Sequence, residues 1–146
     1  MIISTMLPGH VDGVKALLDI CFGDSAWSIE SIRSQMEKPA SICTVALKDD
    51  TVVGYLAFEQ ILDEGSIAEI AVCPGFRRQG IAKRLIAGTL DDRNDLSEVF
   101  LEVREGNDAA IALYESLGFQ VFGRLPRNMK YADGTYADML WMMKLL

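Results

Sequence analysis

The sequence is poor in the residue types that many catalytic and metal sites require. It contains a single histidine, His10, and three widely spaced cysteines without a CxxC pair. A HExxH zinc site is therefore excluded, and a Ser-His-Asp triad would have to use His10. No motif surrounds His10, so we interpret it as a structural or surface residue and expect no metal site. We interpret Cys21, Cys43 and Cys73 as buried thiols in a reducing cytosol rather than a disulfide framework.

Long hydrophobic runs and an excess of positive charge are also missing. No apolar stretch approaches the roughly 18 residues that cross a bilayer. The N-terminal stretch has no basic flank before an apolar segment, so we expect a cytoplasmic protein without a signal peptide or a membrane span. The 14 basic residues are outnumbered by 21 acidic ones, which gives a net charge of −7. This charge argues against binding to nucleic-acid phosphates and would suit a basic partner.

Helical signals are present in four places along the chain. Apolar residues recur at helical spacing over about 9–22, which predicts a first helix. Ser28 can cap a second helix by accepting a hydrogen bond from the backbone of its first turn. Ile81 begins a third amphipathic helix, and the stretch from Asn107 to Gly118 predicts a fourth, with Asn107 as its N-cap and Gly118 at its end.

Strand signals fill most of the remaining chain. The β-rich runs "SICTVAL" and "VVGYLAF" are separated by "KDDT", which predicts a hairpin. The runs "SIAEIAV" and "EVFLEVR" predict two more strands, and the C-terminal stretch predicts a strand pair around Asp133 and Gly134. With 146 residues the chain can bury one substantial core. We therefore expect an α+β or mixed α/β fold in a single domain, residues 1–146.

The stretch "AVCPGFRRQGIAKRL" joins a strand end to a helix start through two arginines and a glycine. The first turn of a helix offers backbone N–H groups without partners and a partial positive charge. Gly80 lets a ligand approach the backbone, and Arg77 and Arg78 can neutralise phosphate. An empty basic helix start would oppose the helix dipole at a cost of about 0.3–1 kcal/mol per charge. We therefore predict a bound anion here, although neither a Walker loop nor a GxGxxG motif is present.

The same stretch resembles a known family. Arg77-x-x-Gly80-x-Ala82, which follows "EIAV-x-P", is similar to the acetyl-CoA pyrophosphate loop of the GNAT (Gcn5-related) N-acetyltransferases. The downstream segment "FLEVREGNDAAIALYESLGFQVFGRLPRN" resembles the RimI-type ribosomal-protein-alanine N-acetyltransferases almost residue for residue. The resemblance covers nearly the whole chain and is strongest over 68–128. It implies a GNAT-like splayed mixed β-sheet flanked by helices.

The resemblance also implies acetyl-CoA as cosubstrate and a set of residues that bind it. The backbone groups implied to pair with the pantetheine arm belong to Ile70, Ala71 and Val72. The residues implied to hold the pyrophosphate, by loop amides or by side-chain charge, are Arg77, Arg78, Gln79, Gly80, Ile81, Ala82 and Lys83. Asn107 is implied to contact the cofactor near its pantetheine part.

Acetyl transfer needs a base for the attacking ammonium and an acid for the leaving thiolate, but no covalent enzyme intermediate. By resemblance, Glu102 would be the base and Tyr114 the acid. From the residues alone, Glu102 could equally be an exposed strand residue, since alternation places it opposite Leu101 and Val103. Tyr114 lies on an apolar helix stripe and could be a core tyrosine. Glu69 on the preceding strand is a rival base.

The sequence departs from the family pattern on the acceptor side. The RimI-type motif has a pair of tyrosines after its Arg-Asn, where this chain has Met129 and Lys130, followed by Tyr131. We expect a protein N-terminus as acceptor, with the N-terminal alanine of a small-subunit ribosomal protein as the first choice. A small-molecule amine or polyamine, or a catalytically silent acetyl-CoA-binding module, are the alternatives. The oligomeric state is not predicted.

Overall fold

The structure, a computed structural model, describes residues 1–130 and 133–146. The β-strands within this part of the chain are β1 (Ile2–Thr5), β2 (Ser41–Lys48), β3 (Thr51–Ile61), β4 (Glu64–Val72), β5 (Glu98–Arg104), β6 (Gln120–Lys130) and β7 (Tyr136–Leu145). Its α-helices are α1 (Val11–Phe22), α2 (Ile29–Glu37), α3 (Ile81–Asp91) and α4 (Asp108–Ser116). All the helices and strands predicted above are present. No helix in the described residues is long and apolar enough to span a bilayer.

The strands form a mixed sheet with the order β1-β2-β3-β4-β5-β7-β6. The pairs β1/β2, β2/β3, β5/β7 and β6/β7 are antiparallel, whereas β4 and β5 are parallel. This arrangement confirms the predicted mixed fold class. The chain forms two compact units, and β4 contributes to both. The first unit comprises Met1–Gln60 and Ala68–Asn94, and the second comprises Ile61–Ile67 and Asp95–Leu146. That the whole chain acts as one domain stays a prediction.

The core of the first unit forms where α1 and α2 pack with the first strands of the sheet. The buried side chains at its centre include Val14, Leu18, Ile32 and Tyr55, each fully removed from solvent. A Cβ atom on Gly13 of α1 would lie 2.8 Å from a methyl carbon of Val52, which belongs to β3. Only glycine therefore permits this approach of helix to strand, because real Cβ atoms do not come so close.

Local hydrogen bonds set the boundaries of these elements. The hydroxyl of Ser28 accepts from the backbone N–H of Ser31 at 3.1 Å, as predicted for the N-cap of α2. Asp49 and Asp50, between β2 and β3, both have positive φ, as the tight turns of hairpins require. The ring Nδ1 of His10 accepts from the backbone N–H of Leu7 at 2.9 Å. The single histidine therefore has a structural role, as expected.

The second unit packs around one face of β5 and β7. Val99, Leu101 and Val103 point to this buried face, as does Met142, the register partner of Leu101 on β7. Strand alternation then turns the intervening side chains of β5 to the opposite, more exposed face. This alternation is the feature that exposes Glu102.

The three cysteines only partly match the expectation of buried thiols. All are free, and Cys43 is buried, but Cys21 and Cys73 are half-exposed. The expectation was wrong for these two because Cys21 lies on the last turn of α1 and Cys73 directly follows β4. Both positions are at the ends of elements, where packing is less complete than at their centres. Burial still raises the pKa of the Cys21 thiol, although the neighbouring Arg77 guanidinium acts in the opposite direction.

Candidate functional site

The connection from β4 to α3 has the backbone geometry of an anion-binding loop. A short 3₁₀ turn, Pro74–Phe76, follows the strand, and the chain then passes through Arg78 and Gly80, with φ of 64° and 77°. Gly80 is the N-cap of α3 and lies in the left-handed region, which glycine adopts without strain. Adding a Cβ at Gly80 would meet nothing within 4 Å, so its side of the loop is open.

The first turn of α3 leaves backbone donors without helical acceptors next to Gly80. The first hydrogen bond of the helix runs from the N–H of Arg84 to the carbonyl of Gly80, at 3.0 Å. The preceding helical amides of Ile81, Ala82 and Lys83 have no intrahelical acceptor. The side chains of Arg78 and Lys83 are exposed beside them. These donors and charges fit a diphosphate group, because the amides and the helix dipole both favour negative charge.

Arg77 anchors the loop to the end of β4. Its Nε donates to the carbonyl oxygen of Val72 at 3.1 Å, and one terminal nitrogen lies 3.7 Å from the Cys21 sulfur. The ammonium of Lys48 also lies 5.1 Å from the ring centre of Phe76 in the same loop. Two cations therefore hold the loop in the first unit. No sequence pattern predicts the contact of Arg77 with Val72, because these residues, five apart, are brought together by the turn between them.

The end of β4 carries the backbone implied to bind pantetheine and a carboxylate with a shifted pKa. Ala71 is buried, whereas Ile70 and Val72 are half-exposed. Burial raises the pKa of Glu69 to about 7, although a hydrogen bond from the backbone of Ile70 acts in the opposite direction. A carboxyl group with a pKa near 7 can accept and release protons at neutral pH. Glu69 is therefore chemically suited to the role of a base.

Glu102 in the second unit has a different environment. It is exposed, on the face of β5 opposite to buried Leu101 and Val103, as the alternation predicted. Its register partner is Trp141 on β7, so the two side chains leave the same face of the sheet side by side. An exposed carboxylate next to a large ring is accessible to a cationic ligand.

Tyr114 and Asn107 also lie in the second unit, on α4 and at its N-cap. Tyr114 is only 6% exposed, and its ring packs edge-on against Phe119 with 6.0 Å between centroids. The structure therefore supports a core role for this tyrosine in addition to any chemical one. The side-chain oxygen of Asn107 accepts from the backbone N–H of Ala110 at 3.3 Å, which confirms the predicted helix cap.

The structure thus divides the predicted site residues between the two units. The first unit holds the residues implied to bind coenzyme A from Ile70 to Lys83, together with Glu69. The second unit holds Glu102, Tyr114 and Asn107. Metal-binding groups of three or more ligands were not found among the described residues.

On the predicted acceptor side, Lys130 is exposed and its ammonium lies 5.8 Å from the ring centre of Tyr136, its register partner on β7. Tyr131 lies outside the described residues, and the Met129 side chain is likewise not described.

Sequence reasoning missed one feature of the second unit. The rings of Phe100 and Trp141 both contact Phe122, with centroid distances of 5.8 and 5.6 Å. Phe122 and Trp141 are among the exposed large hydrophobic residues. The run "MLWMM" in β7 could have indicated this cluster, because it places large apolar side chains on both faces of the strand.

Comparison with known proteins agrees with this geometry. The profile of the Acetyltransferase (GNAT) family matches residues 12–119, from α1 to just beyond α4. An uncharacterized protein of Mycobacterium leprae is 33% identical over 149 residues, which covers 99% of this chain and 40% of that protein. The ribosomal protein bS18-alanine N-acetyltransferase of Salmonella typhimurium is 42% identical over 73 residues, or 49% of each chain. The matched region thus spans about half or less of the length of these two relatives.

Solved structures give the same result at the level of the fold. The crystal structure of the ribosomal-protein-S18-alanine N-acetyltransferase from Escherichia coli has a TM-score of 0.89 at 25% identity, covering 99% of this chain and 92% of that one. An aminoglycoside 6'-N-acetyltransferase complexed with coenzyme A shares the fold, with a TM-score of 0.80 at 20% identity and coverage of 99% and 97%. The family profile covers more than half of the chain and includes the strand, the turn at Gly80 and the helix described above, which leads to one conclusion: the chain belongs to the acetyltransferase (GNAT) family.

Proposed function

We propose that this protein is a cytoplasmic, acetyl-CoA-dependent N-acetyltransferase that acts on a protein N-terminal α-amine. Our first choice of acceptor is the N-terminal alanine of a small-subunit ribosomal protein. The observation that carries the proposal is the open first turn of α3, where Gly80 at φ 77° precedes helical amides that have no intrahelical acceptor. Such a turn favours the diphosphate of coenzyme A, the donor substrate common to the family.

The acceptor assignment draws on similarity. The Salmonella relative is named for acetylation of the alanine of ribosomal protein bS18, and its 42% identity covers 49% of this chain. The net charge of −7 supports a basic protein as acceptor, since opposite charges accelerate encounter.

The proposed chemistry is a direct attack of the amine on the thioester. Glu102 accepts a proton from the α-ammonium, which ordinarily loses it near pH 8. The N–C bond forms as the C–S bond breaks, and Tyr114 donates its proton to the departing thiolate. The second proton that the nitrogen loses as it becomes an amide returns to the Tyr114 oxygen, so the protons balance. The exposure of Glu102 supports this role because an incoming ammonium can reach it. Glu69, with a pKa of about 7, is the second candidate for the base.

A peptide panel tests the function. Peptides that differ only in their first residue are incubated with acetyl-CoA, and the release of free thiol is followed with time. We expect the fastest release with alanine first and none with peptides whose N-terminus is already blocked. Equal rates for every first residue would remove the ribosomal assignment. Turnover of polyamines or other small amines, without turnover of peptides, would establish the small-molecule alternative, and no turnover with any amine would indicate a binding module.

A further inference from the structure

The side chain next to Glu102 across the sheet is a tryptophan. Glu102 on β5 and Trp141 on β7 are register partners. Directly opposite residues of antiparallel strands leave the same face, with Cβ atoms about 4.5–5.5 Å apart. Glu102 is exposed, and Trp141 is 38% exposed. The proposed base therefore has a large, solvent-accessible aromatic ring as its direct neighbour.

The residue opposite Trp141 on its other side, on β6, is a glycine. Gly123 is the register partner of Trp141 on that strand, and a Cβ atom added to Gly123 would lie 3.9 Å from the Cβ atom of Trp141. A larger side chain at this position would leave the same face and cover one flank of the indole ring. The glycine therefore keeps that flank of Trp141 accessible.

Phe122 holds the indole ring in place. Val121 and Gly123 pair with consecutive residues of β7, so Phe122 is an extra residue in β6, as in a β-bulge. Its ring packs against Trp141 with 5.6 Å between centroids and against Phe100 with 5.8 Å. Trp141 is thus fixed by an aromatic neighbour and open beside Gly123, which is a preorganised arrangement for a ligand.

A carboxylate beside an exposed indole is suited to binding an ammonium group. The carboxylate attracts the positive charge, and the electron-rich face of an aromatic ring attracts a cation within about 6 Å of the ring centre. Tryptophan forms the strongest contacts of this kind among the aromatic side chains. Glu102 and Trp141 therefore offer two different attractions to the same cation.

The path from this pair along β7 leads to the acceptor side of the same unit. Strand alternation places Met139 and Ala137 on the same face as Trp141, and both are half-exposed. Ala137 is the register partner of Met129, one of the residues at which the sequence departs from the family pattern. A polypeptide whose N-terminus lies between Glu102 and Trp141 can therefore extend over Met139 and Ala137 towards the β6–β7 connection.

We propose that Glu102 and Trp141 together bind the α-ammonium group of the acceptor, and that Trp141 makes the site select a cationic N-terminus. The inference rests on the proposed function, because it takes Glu102 as the group that accepts the proton of the amine. The carboxylate contacts the ammonium on one side and the indole contacts it on another. The product amide carries no charge, so the same site binds the product less tightly and releases it.

Kinetics with an alanine-starting peptide and saturating acetyl-CoA test the site. Trp141→Leu, which keeps an apolar side chain without a ring, should raise the KM of the peptide about twofold to fivefold, the size of one exposed cation–ring contact. Trp141→Phe should raise it less. Leu145→Ala is the matched control, because it removes another exposed apolar side chain of β7, farther from Glu102. It should keep the native KM.

Gly123→Val tests the open flank of the ring. Valine suits a strand, and its Cβ atom meets Trp141 only at an ordinary contact distance, so the variant should fold. Because the new side chain covers the indole, KM should rise as it does in Trp141→Leu. The double variant should show no further rise, since both changes remove the same contact.

Fluorinated tryptophan separates the electronic role of the ring from a role in packing. Fluorine withdraws electron density from the indole with little change of shape, so the labelled native protein should show a raised KM. Trp27 is the second tryptophan and is labelled as well. Labelled Trp141→Phe is therefore the control and should keep the KM of its unlabelled form. A native KM in the labelled native protein, with a raised KM in Trp141→Leu, would show that Trp141 only packs and would overturn the inference.

Binding without turnover keeps the inference distinct from the function on which it rests. A peptide with trimethylated N-terminal alanine keeps the positive charge but cannot be acetylated, and its N-acetylated form has the same residues without the charge. Isothermal calorimetry in the presence of coenzyme A should show tighter binding of the trimethylated peptide. Trp141→Leu should reduce this preference about twofold to fivefold.

The outcomes then decide between the site and the function. Equal KM values for the native protein, Trp141→Leu and Gly123→Val would overturn the site and leave the acetyltransferase activity standing. If no peptide is turned over, the proposed function fails, and the calorimetric comparison alone decides the inference. A preference for the trimethylated peptide that Trp141→Leu reduces supports the site, and equal binding of the two peptides by the native protein overturns it.

Discussion

The two units of the molecule present their polar groups in different ways. In the first unit they are tied to the fold, since Arg77 donates to the carbonyl of Val72 and Glu69 is partly buried with a pKa near 7. In the second unit, Glu102 and Glu98 lie on one sheet face beside exposed aromatic rings. The first arrangement suits a ligand that is the same for the whole family, and the second suits a ligand that varies.

This difference explains what each unit can recognise. The loop at Gly80 uses backbone amides, which any sequence with the right turn provides, so it can hold a common diphosphate. The exposed sheet face around Glu102 and Trp141 presents side chains, which can change without altering the fold. We therefore expect the second unit to determine which acceptor is used.

Glu102→Gln should have the largest effect of the single substitutions. Removing a general base lowers the rate by about 10²–10⁴-fold, so we expect kcat to fall by at least a hundredfold while the affinity for acetyl-CoA is unchanged. Steady-state kinetics and calorimetry measure the two quantities. Asp95→Asn, at an exposed carboxylate of the same unit, is the control and should keep full activity. Normal turnover by Glu102→Gln would show that the base lies elsewhere.

Glu69→Gln should change stability in a pH-dependent way. The folded state raises the pKa of Glu69 to about 7, above the ordinary value near 4.5. Between pH 4.5 and pH 7 the folded protein therefore binds more protons than the unfolded protein does. Stability of the native protein therefore falls as pH rises from about 4.5 to 7 and is then constant. Glutamine does not ionise, so the variant does not lose stability as pH rises. Its free energy of unfolding should exceed that of the native protein by roughly 1–3 kcal/mol at pH 8 and equal it at pH 4.5.

Urea unfolding at pH 4.5 and pH 8 measures this difference, and an equal gain at both pH values would contradict it. The same variant should keep a kcat of the native order. A loss of activity as severe as that of Glu102→Gln, together with loss of a rate increase around pH 7, would make Glu69 the base. Glu69 would then have the catalytic role that we propose for Glu102.

Arg78→Ala should weaken the binding of coenzyme A. Loss of one charge-assisted contact with phosphate costs about 1.5–3 kcal/mol in a well-ordered site, and we expect about a tenfold increase in Kd because Arg78 is exposed. Isothermal calorimetry with coenzyme A measures this Kd. Arg33→Ala, which removes another exposed arginine, on α2, should leave Kd unchanged. If both variants bind coenzyme A with the same Kd, the loop around Arg78 does not bind the diphosphate.

Asn107→Ala should have the smallest effect. It removes the cap of α4 and should lower the free energy of unfolding by about 1 kcal/mol. Asn107→Asp keeps a capping oxygen and should restore stability. If Asn107 also contacts coenzyme A, the aspartate variant should bind the cofactor less tightly in spite of its native stability. Thermal melts and calorimetry separate the two roles, and an unchanged melt in the alanine variant would contradict the cap.

Much of the fold followed from the sequence because periodicity and caps are local signals. Ser28 and Asn107 cap the helices that they were predicted to cap, and the alternation of β5 placed Glu102 on the exposed face. The turn at Gly80 and the start of α3, on which the prediction of a diphosphate loop depends, are local features too, and both are present. These features need no knowledge of which distant residues pack together.

The remaining features depend on tertiary packing. The raised pKa of Glu69 comes from its burial in the first unit, and the contact of Arg77 with Val72 comes from the path of the loop. The aromatic cluster needs the register that sets Phe100 and Trp141 within reach of Phe122. The half-exposure of Cys21 and Cys73 was mispredicted for the same reason, since residue type gives only an average burial.

The most direct test of the account is the position of the acetyl group on its product. A peptide with N-terminal alanine, lysines at positions five and six and no other amine is incubated with enzyme and acetyl-CoA, and its fragments are weighed by mass spectrometry. We predict one acetyl group, on the α-nitrogen of alanine, and free lysine side chains. Acetylation of a lysine side chain, or a peptide left unmodified while acetyl-CoA is consumed with a small amine, would contradict it.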